Sequence, residues 1–276
     1  MVDVILEMMS YTFLIRAVIV GLLVSLCASL LGVSLVLKRY SMIGDGLSHV
    51  GFGALAVATA LNVAPLTVSI PVVVVAAFLL LRLSESSKIK GDAAIALIST
   101  SSLAFGVLFL SVTTGMNTDV YNYLFGSILA MSSADVRLSI VLCILVLVLF
   151  ILFYHKIFAV TFDETFSRAV GTKAGIYNML LAILTAVTIV LGMRMMGAML
   201  ISALIIFPAL TSMRLCKRFK TVVIFSAVSS VLCFLIGITL SYWYSLPTGA
   251  SVVAVNLAAL LLCSLAGWMK GGLQKR

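Results

Sequence analysis

Charged side chains are scarce in this chain. Only 10% of its 276 residues are Asp, Glu, Lys or Arg, whereas about a quarter is usual for a soluble domain. Hydrophobic residues make up 63%, the mean hydropathy is +1.28, and apolar runs such as 72–83, 140–153 and 252–265 approach the length that spans a bilayer. These observations exclude a soluble globular protein. They predict an all-α, polytopic transmembrane helix bundle, because the runs are too long and continuous for the alternating strands of a barrel.

Several motifs that carry enzyme chemistry are missing. The sequence contains no GxxxxGK[ST], no HExxH and no GxSxG, so it predicts neither a P-loop ATPase, nor a zincin-type protease, nor a serine hydrolase. The five cysteines have no CxxC spacing and four lie in apolar runs, which predicts packing residues rather than disulfides or a thiolate metal site. We therefore expect a chain that is not itself an enzyme.

Acidic residues are outnumbered by basic ones, and the net charge is +9. The basic residues lie at the ends of apolar segments, which is how membrane orientation is encoded, so we expect no nucleic-acid partner. Fifteen of the 18 fall on one side of the predicted topology, and only Arg16, Arg137 and Arg194 fall toward the other. The positive-inside rule then predicts a multi-pass protein with an outside N-terminus and a cytoplasmic C-terminus.

The hydropathy pattern predicts a single transmembrane permease domain over residues 1–276, with about eight or nine spans. A further apolar segment at 120–131 is expected to be a short outer-side or re-entrant helix. A full span there would invert the predicted membrane orientation of all the spans before it. Asp119 and Asp135 are expected to be solvated charges on the outer face. The spans are predicted at 13–37, 43–61, 64–82, 93–112, 136–154, 176–192, 195–213, 221–243 and 249–269.

The second span carries two ionisable residues at membrane depth. Asp45 and His49 are four residues apart, so on a helix they share one face. Such residues are costly in lipid and usually mark a path for ions or protons, and a carboxylate with an imidazole can ligate Zn²⁺ or Mn²⁺. Other interpretations remain open: Asp45 could cap the helix, His49 could be an ordinary interior histidine, and the pair could relay protons.

The longest predicted cytoplasmic connection spans residues 154–175. Asp163 and Glu164 stand where a helix would begin, and Gly171 stands where it would stop. The pattern predicts a short surface helix that suits docking onto a soluble partner. A merely solvated loop is the alternative.

Taken together, four blocks of sequence resemble a known family. They match the membrane permease of zinc/manganese-type ATP-binding-cassette importers, the metal-ion group related in fold to the vitamin B12 and iron-chelate importers. In this chain Ala250 stands where members of the family commonly have proline. The blocks are 41–53 (SMIGDGLSHVGFG), 119–126 (DVYNYLFG), 196–212 (MGAMLISALIIFPALTS) and 246–252 (LPTGASV).

The resemblance implies a function and its partners. Asp45 and His49 would be the pore ligands of a transported divalent metal, Zn²⁺ first and Mn²⁺ second, with no permanently bound cofactor. Asp163, Glu164 and Gly171 would lie at the contact with a separate ATPase subunit. A homodimer in a bacterial cell membrane, served by an extracytoplasmic metal-binding protein, completes this expectation. The alternatives are an Mn²⁺ or Fe²⁺ importer of the same family, and an ion-coupled secondary transporter that works without an ATPase.

Overall fold

The structure, a computed structural model, describes residues 11–85, 91–113 and 132–273. Eleven helices and no strand occur in these residues. The helices are α1 (Thr12–Leu37), α2 (Ser41–Ala60), α3 (Pro65–Glu85), α4 (Gly91–Thr113), α5 (Ser133–Leu152), α6 (Tyr154–Phe162), α7 (Glu164–Ala169), α8 (Ala174–Met196), α9 (Ala198–Leu215), α10 (Phe219–Tyr244) and α11 (Thr248–Leu273).

The predicted helix bundle is confirmed. Each of the nine predicted spans matches one long helix, with ends that differ by at most four residues. Eight of the helices in the described part of the chain are long and apolar enough to cross a membrane, and α2 is not among them. Asp45, His49 and four glycines lower its hydropathy. The predicted helix at 120–131 lies outside the described residues.

The middle of the bundle is built from α1, α2, α8 and α9. Most residues of these helices are buried, whereas α4, α5 and α11 expose large apolar side chains such as Phe105, Val141 and Leu262. Exposed apolar surface on a membrane-spanning helix is suited to contact with lipid. Helix α2 therefore lies inside the protein, packed against α3, α4, α8 and α9.

Two helix contacts are so close that only glycine fits. A methyl group built on Gly32 of α1 would lie 2.0 Å from the backbone oxygen of Ile205 in α9. A methyl group on Gly53 of α2 would lie 2.7 Å from the backbone oxygen of Ser102 in α4, and one on Gly106 would lie 2.9 Å from the Cα of Gly53. Small residues let membrane helices approach this closely, and these glycines set how α2 and α9 sit in the bundle.

The bundle has one strongly basic end. Lys38 contacts Glu164 of α7, and Phe158 of α6 packs on Phe219 at the start of α10, with ring centroids 4.9 Å apart. These contacts bring α6, α7 and the connected helix ends together, and we call this the basic end. Among the residues whose side chains the structure describes, it holds ten basic ones: Lys38, Arg39, Arg82, Lys156, Arg168, Lys173, Arg214, Lys217, Arg218 and Lys220.

The opposite end of the bundle contains a partly buried ion pair. Arg194 of α8 lies 3.3 Å from Asp135 of α5, and the side chains are 12% and 16% exposed. Asp135 also forms a capping box with Ser132 at the start of α5. The expectation that Asp135 is a solvated charge is therefore wrong, because its carboxylate is held by a guanidinium and by the helix terminus. Asp119 lies outside the described residues.

Candidate functional site

A tight turn connects α1 to α2. Helix α1 ends at Leu37, and the Tyr40 backbone N–H donates to the Leu35 oxygen over 2.8 Å. Arg39 in this turn has a φ of 62°, the left-handed conformation that commonly ends a helix. Helix α2 then begins at Ser41, so Asp45 stands one turn inside it. The interpretation of Asp45 as the cap of this helix is wrong, because Tyr40 occupies that position.

Asp45 and His49 face each other on α2, as their spacing predicts. His49 Nε2 lies 3.7 Å from Asp45 Oδ2. The Asp45 side chain is 44% exposed and that of His49 is 24% exposed, although α2 is otherwise largely buried. The other ring nitrogen of His49, Nδ1, is buried and has no hydrogen-bond partner among the described residues.

A third polar group approaches the pair from α9. Ser202 Oγ donates to Asp45 Oδ1 at 3.4 Å and to the Ala198 backbone oxygen at 3.2 Å. The sequence does not single out Ser202 as a site residue. Its only signal is that several small residues occur in this part of the chain, and small residues let membrane helices approach each other closely. They are Gly197, Ala198, Ser202 and Ala203.

The donor set of this site is small. It offers carboxylate oxygen, imidazole nitrogen and a hydroxyl, which suit divalent transition metals better than alkali ions. In the part of the chain that the structure describes, no three His, Cys, Asp or Glu side chains come together. The described residues of one copy thus offer fewer ligands than the four that a tetrahedral Zn²⁺ site requires.

The predicted short helix in segment 154–175 is present as α7. Asp163 caps it by accepting a hydrogen bond from the Phe166 backbone N–H at 2.8 Å. Gly171 follows the helix with a φ of 85°, a conformation that favours glycine. Helix α6 precedes α7 and was not predicted separately, because the hydropathy pattern of the fifth span runs into it without a break.

Two large apolar side chains are exposed on α7 and at the residue that follows it. Phe166 and Val170 are each 66% exposed. Glu164 is half-buried and accepts hydrogen bonds from Lys38 at 3.1 Å, Asn178 at 3.0 Å and Arg168 at 2.6 Å. Of the three residues assigned to the ATPase contact by resemblance, Asp163 and Gly171 therefore shape the segment and Glu164 anchors it. The exposure of Phe166 and Val170 could not be predicted from sequence, because a helix this short has too little hydrophobic periodicity to show which face points outward.

The contacts of Glu164 keep its carboxyl ionised. Burial raises its pKa, but hydrogen bonds from Asn178, Arg168 and Lys38, together with the charge of Lys38, outweigh burial and lower the pKa from 4.5 to about 2. The Glu164 carboxylate is therefore negatively charged at physiological pH.

Replacing Glu164 with Gln should lower thermal stability most at neutral pH. Because the pKa of the folded carboxyl is depressed, its stabilising effect is complete above about pH 4.5 and is lost as the pH falls toward 2. We expect the difference in Tm between wild type and Glu164→Gln, measured in detergent, to be constant near neutrality and to shrink below pH 4.5. A difference that keeps its full size well below that pH would contradict the role of the charge.

The fold and the site together define a class of protein. Membrane-length helices enclose a helix with a partly exposed carboxylate–imidazole pair, and an apolar surface helix projects at one end, as in a membrane transport subunit. The model of the family described as the ABC 3 transport family matches residues 10–267. The chain belongs to this family, which confirms the resemblance to metal-importer permeases carried by the four sequence blocks.

Relatives and a solved structure support the same assignment over almost the whole chain. The chain is similar to the manganese import system permease protein ScaB of Streptococcus gordonii, with 29% identity covering 91% of this chain and 90% of that protein. It is also similar to the high-affinity zinc uptake system membrane protein ZnuB of Haemophilus influenzae, with 29% identity covering 92% of this chain and 97% of that protein. A chain of PsaBC from Streptococcus pneumoniae in complex with Fab superposes with a TM-score of 0.85 at 27% identity, covering 95% of this chain and 94% of that chain.

Proposed function

We propose that this chain is the transmembrane permease of an ATP-driven importer of divalent metal ions, and that Asp45 and His49 contact the ion in transit. The observation that supports this most directly is the pair itself. A carboxylate and an imidazole face each other at 3.7 Å on a helix otherwise surrounded by protein, and both side chains remain partly exposed. Ionisable groups in such a place usually serve an ion path.

The small donor set supports a homodimer whose interface is the translocation path. Two copies of the Asp45–His49 pair would provide four protein ligands, the number that tetrahedral Zn²⁺ takes. The partial exposure of both side chains leaves them accessible to a second copy. A transport site must also release its ion, so an incomplete coordination shell in each copy is an advantage.

Zn²⁺ is the first candidate for the cargo and Mn²⁺ the second. Imidazole with carboxylate suits Zn²⁺, while Mn²⁺ favours a larger share of oxygen ligands, which Ser202 and water could supply. Relatives named for manganese import and for zinc uptake are equally similar to this chain, at 29% identity. The donor set is therefore our ground for placing Zn²⁺ before Mn²⁺, with Fe²⁺ as a further alternative.

The basic end supports both the orientation and the ATPase partner. Ten described basic residues gather there, so by the positive-inside rule this end faces the cytoplasm. The N-terminus is then outside and the C-terminus inside. Helix α7 projects from the same end with Phe166 and Val170 exposed, an apolar surface of the kind that docks onto a soluble partner. An ATPase subunit binds there, and an extracytoplasmic metal-binding protein delivers the ion to the opposite end.

The proposal is tested by purifying the chain from a cell that also expresses an ATPase partner, and by reconstituting the complex in liposomes. We expect co-purification of the ATPase and ATP-dependent uptake of radioactive Zn²⁺, with competition by unlabelled Mn²⁺ and Fe²⁺ ranking the three metals. Uptake that is driven by an ion gradient and does not require ATP would instead support a secondary transporter and overturn the proposal.

A surface variant tests the docking contact in the same preparation. Phe166→Ser combined with Val170→Ser removes the exposed apolar groups of α7 without touching Glu164. We expect much less ATPase to co-purify with this variant. Full retention of the ATPase would place the contact elsewhere on the basic end.

A further inference from the structure

Three side chains from different helices form a closed hydrogen-bonded triangle at the basic end. Lys38 Nζ donates to Glu164 Oε2 at 3.1 Å, Asn178 Nδ2 donates to the same oxygen at 3.0 Å, and Lys38 Nζ also donates to Asn178 Oδ1. Lys38 directly follows α1, Glu164 begins α7 and Asn178 lies in the second turn of α8. The triangle therefore ties the surface helix α7 to the interior of the bundle.

The Lys38 ammonium group is unusually enclosed. Its side chain is 7% exposed, and Asn178 is 5% exposed. An enclosed ammonium group that loses its carboxylate partner carries a large desolvation cost. In the described residues Glu164 is the acid that pairs with Lys38, and Arg168 holds its other oxygen at 2.6 Å. Moving α7 without moving Lys38 would leave that ammonium unpaired, so the two are expected to move together.

Lys38 is connected by a short turn to α2, the helix that carries Asp45 and His49. It is followed by Arg39 and Tyr40 in the tight turn, and α2 begins at Ser41. Asp45 lies four residues further on, about 6 Å along the helix axis. A displacement of Lys38 is thus transmitted to the first turns of α2 by backbone hydrogen bonds rather than by a flexible loop.

We propose that Lys38 is the positioning residue that couples movement of α7 to the position of Asp45 and His49. This rests on the proposed function, in which α7 docks on the ATPase. When the ATPase displaces α7, the ion pair between Glu164 and Lys38 displaces Lys38 as well. The turn at 38–40 then moves the start of α2. Asn178 holds the contact against α8 during this movement. The surface helix and the ion path then respond to ATP as one unit.

The coupling is tested with Lys38→Met, which keeps the unbranched stem of the side chain and removes the charged amino group. We expect the variant to co-purify with the ATPase and to hydrolyse ATP within about twofold of wild type, while metal imported per ATP falls about tenfold. Lys38→Arg restores a donor to Glu164 and should recover most of the lost transport. Lys217→Met, the same change at an exposed position of the basic end, should leave the amount of metal imported per ATP unchanged.

Further measurements separate coupling from simple stability. Glu164→Gln should lower metal per ATP as Lys38→Met does, and the double variant should be no worse than the more affected single variant, because both break one contact. An unchanged ratio in Lys38→Met or in Glu164→Gln would overturn the inference. It would also be overturned by a loss in Lys38→Met that Lys38→Arg does not repair. If wild-type protein itself showed no ATP-dependent uptake, the proposed function would fail first, and the coupling with it.

Discussion

Asp45→Asn should reduce ATP-dependent metal uptake by about 100-fold without preventing assembly with the ATPase. Asn keeps the size of the side chain but removes the negative charge that attracts a divalent cation. The nearby hydroxyl of Ser202, at 3.4 Å, can hydrogen-bond to the Asn amide as it does to Asp, so the local packing should survive. The measurement is the initial rate of metal uptake into liposomes, together with the amount of ATPase that co-purifies.

His49→Ala should have an effect of similar size, because it removes the proposed nitrogen ligand, the imidazole whose Nε2 lies 3.7 Å from Asp45 Oδ2. Ser48→Ala is the matched control on the same turn of α2, since among the described residues its hydroxyl bonds only to the Asp45 backbone oxygen, at 2.7 Å. We expect Ser48→Ala to transport normally.

Near-normal uptake by assembled Asp45→Asn and His49→Ala would remove these residues from the ion path. The family membership and the helix bundle would remain, and the search for the metal contact would move to other positions along α2 and α9.

Gly32→Ala should destabilise the protein by about 3 kcal/mol. The added methyl group would lie 2.0 Å from the Ile205 backbone oxygen, and neither a rotamer change nor a flexible side chain can relieve a clash with backbone. Helices α1 and α9 would have to separate, and Ser202 would move away from Asp45. We therefore expect a lower Tm in detergent and also slower metal uptake.

Gly175→Ala provides the matched control for this change. Gly175 lies near the start of α8, and a methyl group built there has no neighbour within 4 Å. Alanine favours the helix over glycine by up to about 1 kcal/mol, so Gly175→Ala should be neutral or slightly stabilising. Equal effects of Gly32→Ala and Gly175→Ala would show that the α1–α9 contact can open without cost.

The helix bundle could be predicted from sequence because each span is a long local signal. Twenty or so apolar residues in a row identify a membrane helix without any knowledge of its neighbours. The pairing of Asp45 with His49 could be predicted for a similar reason, since a spacing of four on a helix fixes which face they share. Asp163 and Gly171 were likewise recognisable as the two ends of a short helix.

The contacts that connect these elements could not be predicted from sequence. Ser202 and Asp45 are separated by 157 residues, and Lys38 and Glu164 by 126. Such contacts depend on the packing of α1, α8 and α9, which local patterns do not encode. Asp135 shows the same limit, since nothing near it in sequence indicates that Arg194, 59 residues away, neutralises it.

The small number of donors around Asp45 has a consequence for the timing of transport. In the proposed dimer neither copy can retain a divalent cation alone, so retention depends on the distance between the two copies. Cargo would escape when a rigid-body step widens that gap, with no need for either side chain to take up a proton. Release of the ion would then depend on the distance between the two copies, and ATP hydrolysis would determine when that distance changes.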